Sequence, residues 1–174
     1  MTYKDTAFKT LASQDKFELW TLLELLGGRT VQSVLEVGID KGYLCQTWRE
    51  AFPVADVVGI DNNPEALVFR DFHFIEGDSQ DPATRDVLLQ EGYTLFDLIF
   101  IDGDHSYRGV RKDYELYGPL IRPGGIIAFH DITRTLEEFP GIEVRRFFDE
   151  LKKKHASVEI VNPHNGPGIG CIFL

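Results

Sequence analysis

The sequence predicts an α/β protein built on a largely parallel sheet. From residue 31 onward, short apolar runs rich in β-branched and aromatic residues alternate with segments of helical period, the pattern that strands and crossover helices leave in a chain. Each run is closed by Gly, Asp, Asn or Pro, the residues that punctuate loops. With 174 residues the chain has the length of one ordinary domain, enough to bury roughly two-thirds of its unfolded surface.

In order along the chain, Phe8, Leu11, Phe17, Leu19, Trp20, Leu22, Leu23, Leu25 and Leu26 give one or two amphipathic helices that stop at Gly27-Gly28. Residues 1–30 therefore read as a helical cap over a pocket, and 31–174 as the sheet core of the same domain. Strands are expected at Val31–Val37, Ala55–Ile60, Phe72–Ile75, Leu95–Ile101 and Gly125–Phe129. Helical spacing of apolar residues places helices at Gly42–Ala51, Pro64–Arg70, Pro82–Glu91 and Tyr107–Leu120. Asp131–Ile142 has mixed polarity with Pro140 and Gly141, so it reads as a loop before a helix at Glu143–Lys154. The last two runs, Ser157–Val161 and Gly168–Leu174, flank a turn rich in Asn, Pro and Gly. A hairpin there makes the last strand antiparallel.

Charge narrows the partners. The formal net charge is −10, so most of the surface repels a phosphate backbone or an anionic membrane. The basic pairs and triplets Arg145-Arg146 and Lys152-Lys153-Lys154 are interleaved with acids and apolar residues and read as solvated helix faces. Cys45 and Cys171 belong to no Cys/His cluster, which fits buried thiols in a reducing compartment. With no run of about 18 apolar residues and no secretory leader pattern, a cytoplasmic location is expected. Aromatic residues in the first 26 positions fit a homodimer.

The chemistry starts where the first strand turns into a helix. Glu36, Gly38 and Gly42 form an E-x-G-x-x-x-G loop. Glycine at 38 admits close backbone approach to a ligand, and glycine at 42 admits close packing of the helix start. An acid in place of the first glycine disfavours a pyrophosphate and suits a cationic ligand, so a nicotinamide dinucleotide fits the sheet but not the loop. About 20 residues on, Asp61 and Asn62 end the second strand, where an acid can hold both hydroxyls of a ribose. Asp78 and Ser79 end the third strand, within reach of an adenine. Ligands of open α/β sheets lie outside the carboxyl ends of the strands, and all three signals fall there.

On these residues the sequence, from about Val31 to its C-terminus, resembles the class I S-adenosylmethionine-dependent methyltransferases. The resemblance implies a three-layer, doubly wound, Rossmann-like sheet of seven strands with an antiparallel last strand. It implies also that Glu36 and Gly38 contact the methionine part of the cofactor, Asp61 the ribose and Asp78 the adenine.

The fourth and fifth strands end in IDGDHSY and AFHDIT, which gathers Asp102, Asp104, His105, His130 and Asp131 beside the cofactor loop. Oxygen donors on neighbouring strand ends suit a hard divalent cation such as Mg²⁺, whereas a histidine ligand leaves Mn²⁺ or another ion open. A cation there lowers the pKa of a coordinated hydroxyl, and His105 is placed to take its proton. Other readings compete: Asp104 or Asp102 as a helix cap, and His130 as a core-edge histidine satisfied by backbone. The pattern looks like the branch containing metal-dependent sugar and antibiotic O-methyltransferases and cephalosporin hydroxylase-like proteins. That likeness makes Asp102 and Asp131 metal ligands, His130 a further ligand and His105 the general base, with Asp102 serving cofactor and catalysis as well. In catechol O-methyltransferase-like relatives an amide follows the second Asp; here that position is Ile132.

The expected reaction is methyl transfer to a hydroxyl of a small-molecule acceptor. Two alternatives stand beside it: a metal-independent enzyme with a histidine base, and a cofactor-binding module without turnover. Tyr107, Arg108, Arg111 and the loop from Thr133 to Gly141 lie where substrate could be met, although a solvated helix face explains the arginines equally. His73, His155 and His164 have no assigned role.

Overall fold

The computed structural model describes residues 2–174; Met1, where the expected cap begins, lies outside them. Two helices come first, α1 (Tyr3–Lys9) and α2 (Lys16–Gly27). They are followed by β1 (Ser33–Val37), α3 (Tyr43–Ala51), β2 (Asp56–Asp61), β3 (His73–Glu76), α4 (Pro82–Gln90), β4 (Phe96–Ile101), α5 (Tyr107–Tyr117), β5 (Ile121–His130), α6 (Val144–Leu151), β6 (Ala156–Ile160) and β7 (Ile169–Phe173).

The strands form one sheet of seven in the order β3-β2-β1-β4-β5-β7-β6. Pairings from β3 to β5 are parallel. β7 is antiparallel to both β5 and β6, as the turn residues predict. Chain order reverses between β1 and β4, so the helices that follow them, α3 and α5, pack on opposite faces and a crevice opens outside the strand ends. Every residue of β1 is buried, which is why the strand after Ser33 reads as an apolar run broken only by Glu36.

Helices cover both faces. One core gathers Leu19, Leu22, Leu23 and Leu26 of α2 with Leu44 and Trp48 of α3. The other gathers Leu88 of α4, Val110 of α5 and Phe148 of α6. This three-layer, doubly wound arrangement is the Rossmann-like methyltransferase fold. Among the described residues no helix is long and apolar enough to cross a membrane.

Several expected boundaries move. The helix predicted at Pro64–Arg70 is a single 3₁₀ turn over Pro64–Ala66. Beyond it the amides of Val68 and Phe69 both donate to the carbonyl of Lys41 at 3.1 Å, so the chain is drawn onto the cofactor loop instead of winding on. β5 begins earlier than predicted: Ile121 pairs with Phe96 ahead of a register shift, which lets Pro123 and Gly124 sit within the strand. α6 stops at Leu151, three residues short of its predicted end.

Candidate active site

A cleft of about 700 Å³ opens at the carboxyl ends of β1, β2, β3, β4 and β5. Glu36, Gly38, Asp61, Asn62, Asp78 and Ser79 line it, as do Asp102, His105, His130 and Asp131. Gly42 lies outside its wall. That glycine is the N-cap of α3, with φ +78°, and a Cβ there would crowd Phe72; its lack of a side chain serves packing of the helix start, and the cofactor contact also expected of it has no counterpart in the cleft wall. Gly38 also has positive φ, +83°. A Cβ on Gly38 would overlap the backbone of Asp102 and Gly103. The approach of the β1 and β4 loops to one another therefore also requires a glycine at this position in the cleft wall.

Glu36 is corrected in part. It lines the cleft, but its Oε2 accepts hydrogen bonds from the indole of Trp48 at 2.8 Å and the thiol of Cys45 at 3.3 Å. Burial, reinforced by Asp102 and Asp61, holds its carboxyl well above the usual carboxylate range, so it is a poorer anion than its sequence position suggests. Asp61 Oδ2 accepts from the amides of Ile39 at 2.9 Å and Asp40 at 3.1 Å, and Oδ1 accepts from the amide of Asn63 at 2.9 Å. The carboxylate thus shapes the β1 loop as well as facing the cleft. Asp78 closes an Asx turn through the amide of Gln80 at 2.9 Å, and Tyr117 donates its hydroxyl to the carbonyl of Ser79 at 2.9 Å.

At the other end of the cleft, four side chains converge. His105 Nε2 lies 3.1 Å from Asp102 Oδ1 and 3.2 Å from Asp131 Oδ2. His130 Nδ1 lies 3.0 Å from Asp102 Oδ1 and 3.8 Å from Asp131 Oδ2. One donor atom from each residue falls within 4.8 Å of all the others. Among the described residues no other cluster of His, Cys and acidic side chains is close enough to hold a metal ion.

The electrostatics are mutual. Burial alone would raise the Asp102 carboxyl, but His130 and His105 outweigh it and bring it down to about 2. His105 is raised, chiefly by its hydrogen bond to Asp102 and against the pull of burial. Burial lowers His130, yet Asp102 and Asp131 more than reverse that. Asp131 sits at φ +62°, a left-handed backbone that non-glycine residues adopt sparingly and that recurs at functional sites.

The competing readings resolve. Ser106, not Asp104, is the N-cap of α5; Asp104 accepts from the Ser106 amide at 2.8 Å and from Gln80 at 3.0 Å. His130 bonds Asp102 and not backbone, and its buried Nε2 has no partner. Ile132 is fully buried in the core and offers no donor. Two side chains that sequence reasoning passed over reach this region from the N-terminal segment. Gln14 Nε2 donates to Asp102 Oδ2 at 2.7 Å. Buried Glu18 accepts from the amides of Asn162 at 2.8 Å and Gly168 at 2.9 Å, tying α2 to the β6–β7 turn. Glu18 lies four residues from Leu22 and eight from Leu26, so helical period could have found it.

Fold and cleft together define a class I methyltransferase architecture. The family described as "Methyltransferase domain" matches residues 35–132, and the chain belongs to it. A curated relative, the mycinamicin VI 2''-O-methyltransferase of Micromonospora griseorubida, is 28% identical over 107 residues, covering 57% of this chain and 27% of that enzyme. The structure of the MycE methyltransferase in complex with Mg, SAH and mycinamycin VI aligns with TM-score 0.72 at 20% identity, over 99% of this chain and 54% of that one. An O-methyltransferase from Bacillus cereus in complex with SAH aligns with TM-score 0.68 at 19% identity, over 99% and 89%. The chain thus spans about a quarter of the curated enzyme and about half of MycE.

Proposed function

We propose that the protein transfers the methyl group of S-adenosylmethionine to a hydroxyl of a small-molecule acceptor, assisted by a divalent cation. One observation carries the reading: the Asp102, His105, His130 and Asp131 donors converge within 4.8 Å in the cleft that also presents the β1 loop, Asp61 and Asp78. Two carboxylates, two imidazoles and a buried Nε2 without a partner make a donor set that suits a cation. The Mg and SAH bound to MycE and the SAH bound to the Bacillus cereus enzyme support this reading.

In this reading Gly38 and the loop around it hold the methionine part, Asp61 and Asn62 the ribose, and Asp78 with Ser79 the adenine. Asp102, Asp131 and His130 hold the cation, Mg²⁺ or, given the imidazole donor, Mn²⁺. When bound, the cofactor supplies an electrophilic methyl group and the cation acidifies an acceptor hydroxyl. With Nε2 bonded to Asp102, the ring nitrogen of neutral His105 left to accept a proton is Nδ1; it would take the hydroxyl proton as the acceptor oxygen gained the methyl group, with a methyl ether and S-adenosylhomocysteine as products. Asp102, bonded to Nε2, orients the imidazole.

A cation-free version is favoured by that His105–Asp102 bond, which orients a base with no ion present. Transfer of labelled methyl from S-adenosylmethionine to a panel of hydroxylated acceptors, with and without EDTA, separates the two. The first reading expects loss of turnover in EDTA and recovery with Mg²⁺ or Mn²⁺; undiminished turnover in EDTA leaves the histidine alone as base. Absence of transfer to every acceptor, with tight cofactor binding, leaves a binding module.

A further inference from the structure

The cleft has one wall that none of the proposed roles uses. Residues 11–14, the link between α1 and α2, line it beside Asp102. This link is pinned on several sides. Thr10 Oγ1 lies 2.6 Å from Thr47 Oγ1. Lys16 Nζ donates to the carbonyls of Thr10 at 3.0 Å and Ala12 at 2.6 Å. Asp15 caps α2 and accepts from Asn162 Nδ2 at 2.9 Å. The segment therefore has little freedom, and the residue at its centre is held where it stands.

That residue is Gln14, which is 4% exposed. Its Nε2 donates to Asp102 Oδ2 at 2.7 Å, across 88 residues of sequence. Its Oε1 is buried without a partner. The reverse amide orientation would set Oε1 against the carboxylate, so the anion fixes which end of the amide faces it. The buried carbonyl oxygen has no protein partner, while the donor end of the amide is engaged by the carboxylate. The two oxygens of Asp102 are divided: Oδ2 belongs to Gln14, and Oδ1 meets His105 at 3.1 Å and His130 at 3.0 Å.

We propose that Gln14 is a positioning residue of the cation site, locking Asp102 in the rotamer that presents Oδ1 alone to the imidazoles and the metal. Hydrogen bonds to the second oxygen of a ligating carboxylate fix ligand orientation, and their loss lowers metal affinity 10–100-fold in general. The proposal rests on the cation reading above. It also gives the N-terminal segment a part in the chemistry besides covering the cleft.

Mn²⁺ titration by calorimetry tests it on wild type, Gln14→Met and Gln14→Ala, with S-adenosylmethionine titrated in parallel. Methionine keeps the length of the side chain without the donor; alanine covers a failure of methionine to fit. The expected result is Mn²⁺ binding weakened by about 10–100-fold in both variants, with cofactor affinity within about twofold of wild type. In Co²⁺-loaded protein the visible absorption band of Gln14→Met should also shift, which a loss of folded material alone would not cause. Tight Mn²⁺ binding by wild type and by both variants alike overturns the assignment of Gln14 and leaves the cation site standing. Wild type that takes up no Mn²⁺ overturns the cation reading, and this inference with it.

Discussion

His105 Nε2 stands 3.2 Å from Asp131 Oδ2 while the same nitrogen lies 3.1 Å from Asp102 Oδ1. An imidazole held between two carboxylates binds its proton more tightly, and His105 is raised above the usual 6.5 for that reason, mainly through Asp102 and against burial. Because the folded-state value is raised, this coupling stabilises the fold below about 6.5 and is lost as pH rises through the raised value. It also means that an uncomplexed His105 becomes a base only above that point. In an NMR titration of metal-free protein the His105 ring protons should report a midpoint above 6.5, and Asp102→Asn should lower it. A midpoint unchanged by Asp102→Asn would contradict the pairing.

Asp113 of α5 is fully buried and neither carboxyl oxygen has a hydrogen-bond partner. Burial, with Asp104 and Asp78 nearby, pushes its carboxyl from 3.8 up to about 6. Between those values the folded chain keeps a proton that the unfolded chain releases, so stability falls as pH rises from about 4 to about 6 and stays lower above that. A shift of about two units corresponds to on the order of 3 kcal/mol. Asp113→Asn should therefore gain more over wild type in urea melts at about pH 8 than at about pH 4. An equal offset at both values would mean that Asp113 is not held protonated.

Glu18 holds the β6–β7 turn by two backbone amides. Glu18→Ala leaves the buried Gly168 amide and the half-buried Asn162 amide unpaired, at a cost on the order of 3 kcal/mol. Thermal unfolding should show the loss, and proteolysis should cut first near residues 162–168. A variant as stable as wild type would show the staple to be unnecessary.

Glu36→Leu removes the acceptor shared by Trp48 and Cys45, whereas Glu36→Gln keeps an amide oxygen for the indole. The leucine variant should lose about 1–3 kcal/mol in chemical denaturation and the glutamine variant less. Equal losses would contradict the account of Glu36 as a buried acceptor.

Much of this was readable in the residues. The strands are legible as apolar runs, and Glu36, Asp61, Asp78, Asp102 and Asp131 line one cleft because each lies near the carboxyl end of a strand at the same sheet edge. Pro64–Arg70 misled because its helical spacing carries no information about the Lys41 carbonyl that captures Val68 and Phe69. Asp113 shares a helix stripe with Val110 and Tyr117, a local sign of burial that could have been used. Gln14 gave no such sign, since its partner lies 88 residues away and only the folded sheet brings them together.

Cofactor recognition by the β1–β2 rim underlies every role assigned here, and calorimetric titration of S-adenosylmethionine into wild type and Asp61→Ala measures it directly. Wild type should bind, and loss of a charged hydrogen-bond acceptor should weaken binding by roughly 10–100-fold. Wild type that releases no heat and shows no saturation, or an Asp61→Ala variant that binds as tightly as wild type, would contradict the account.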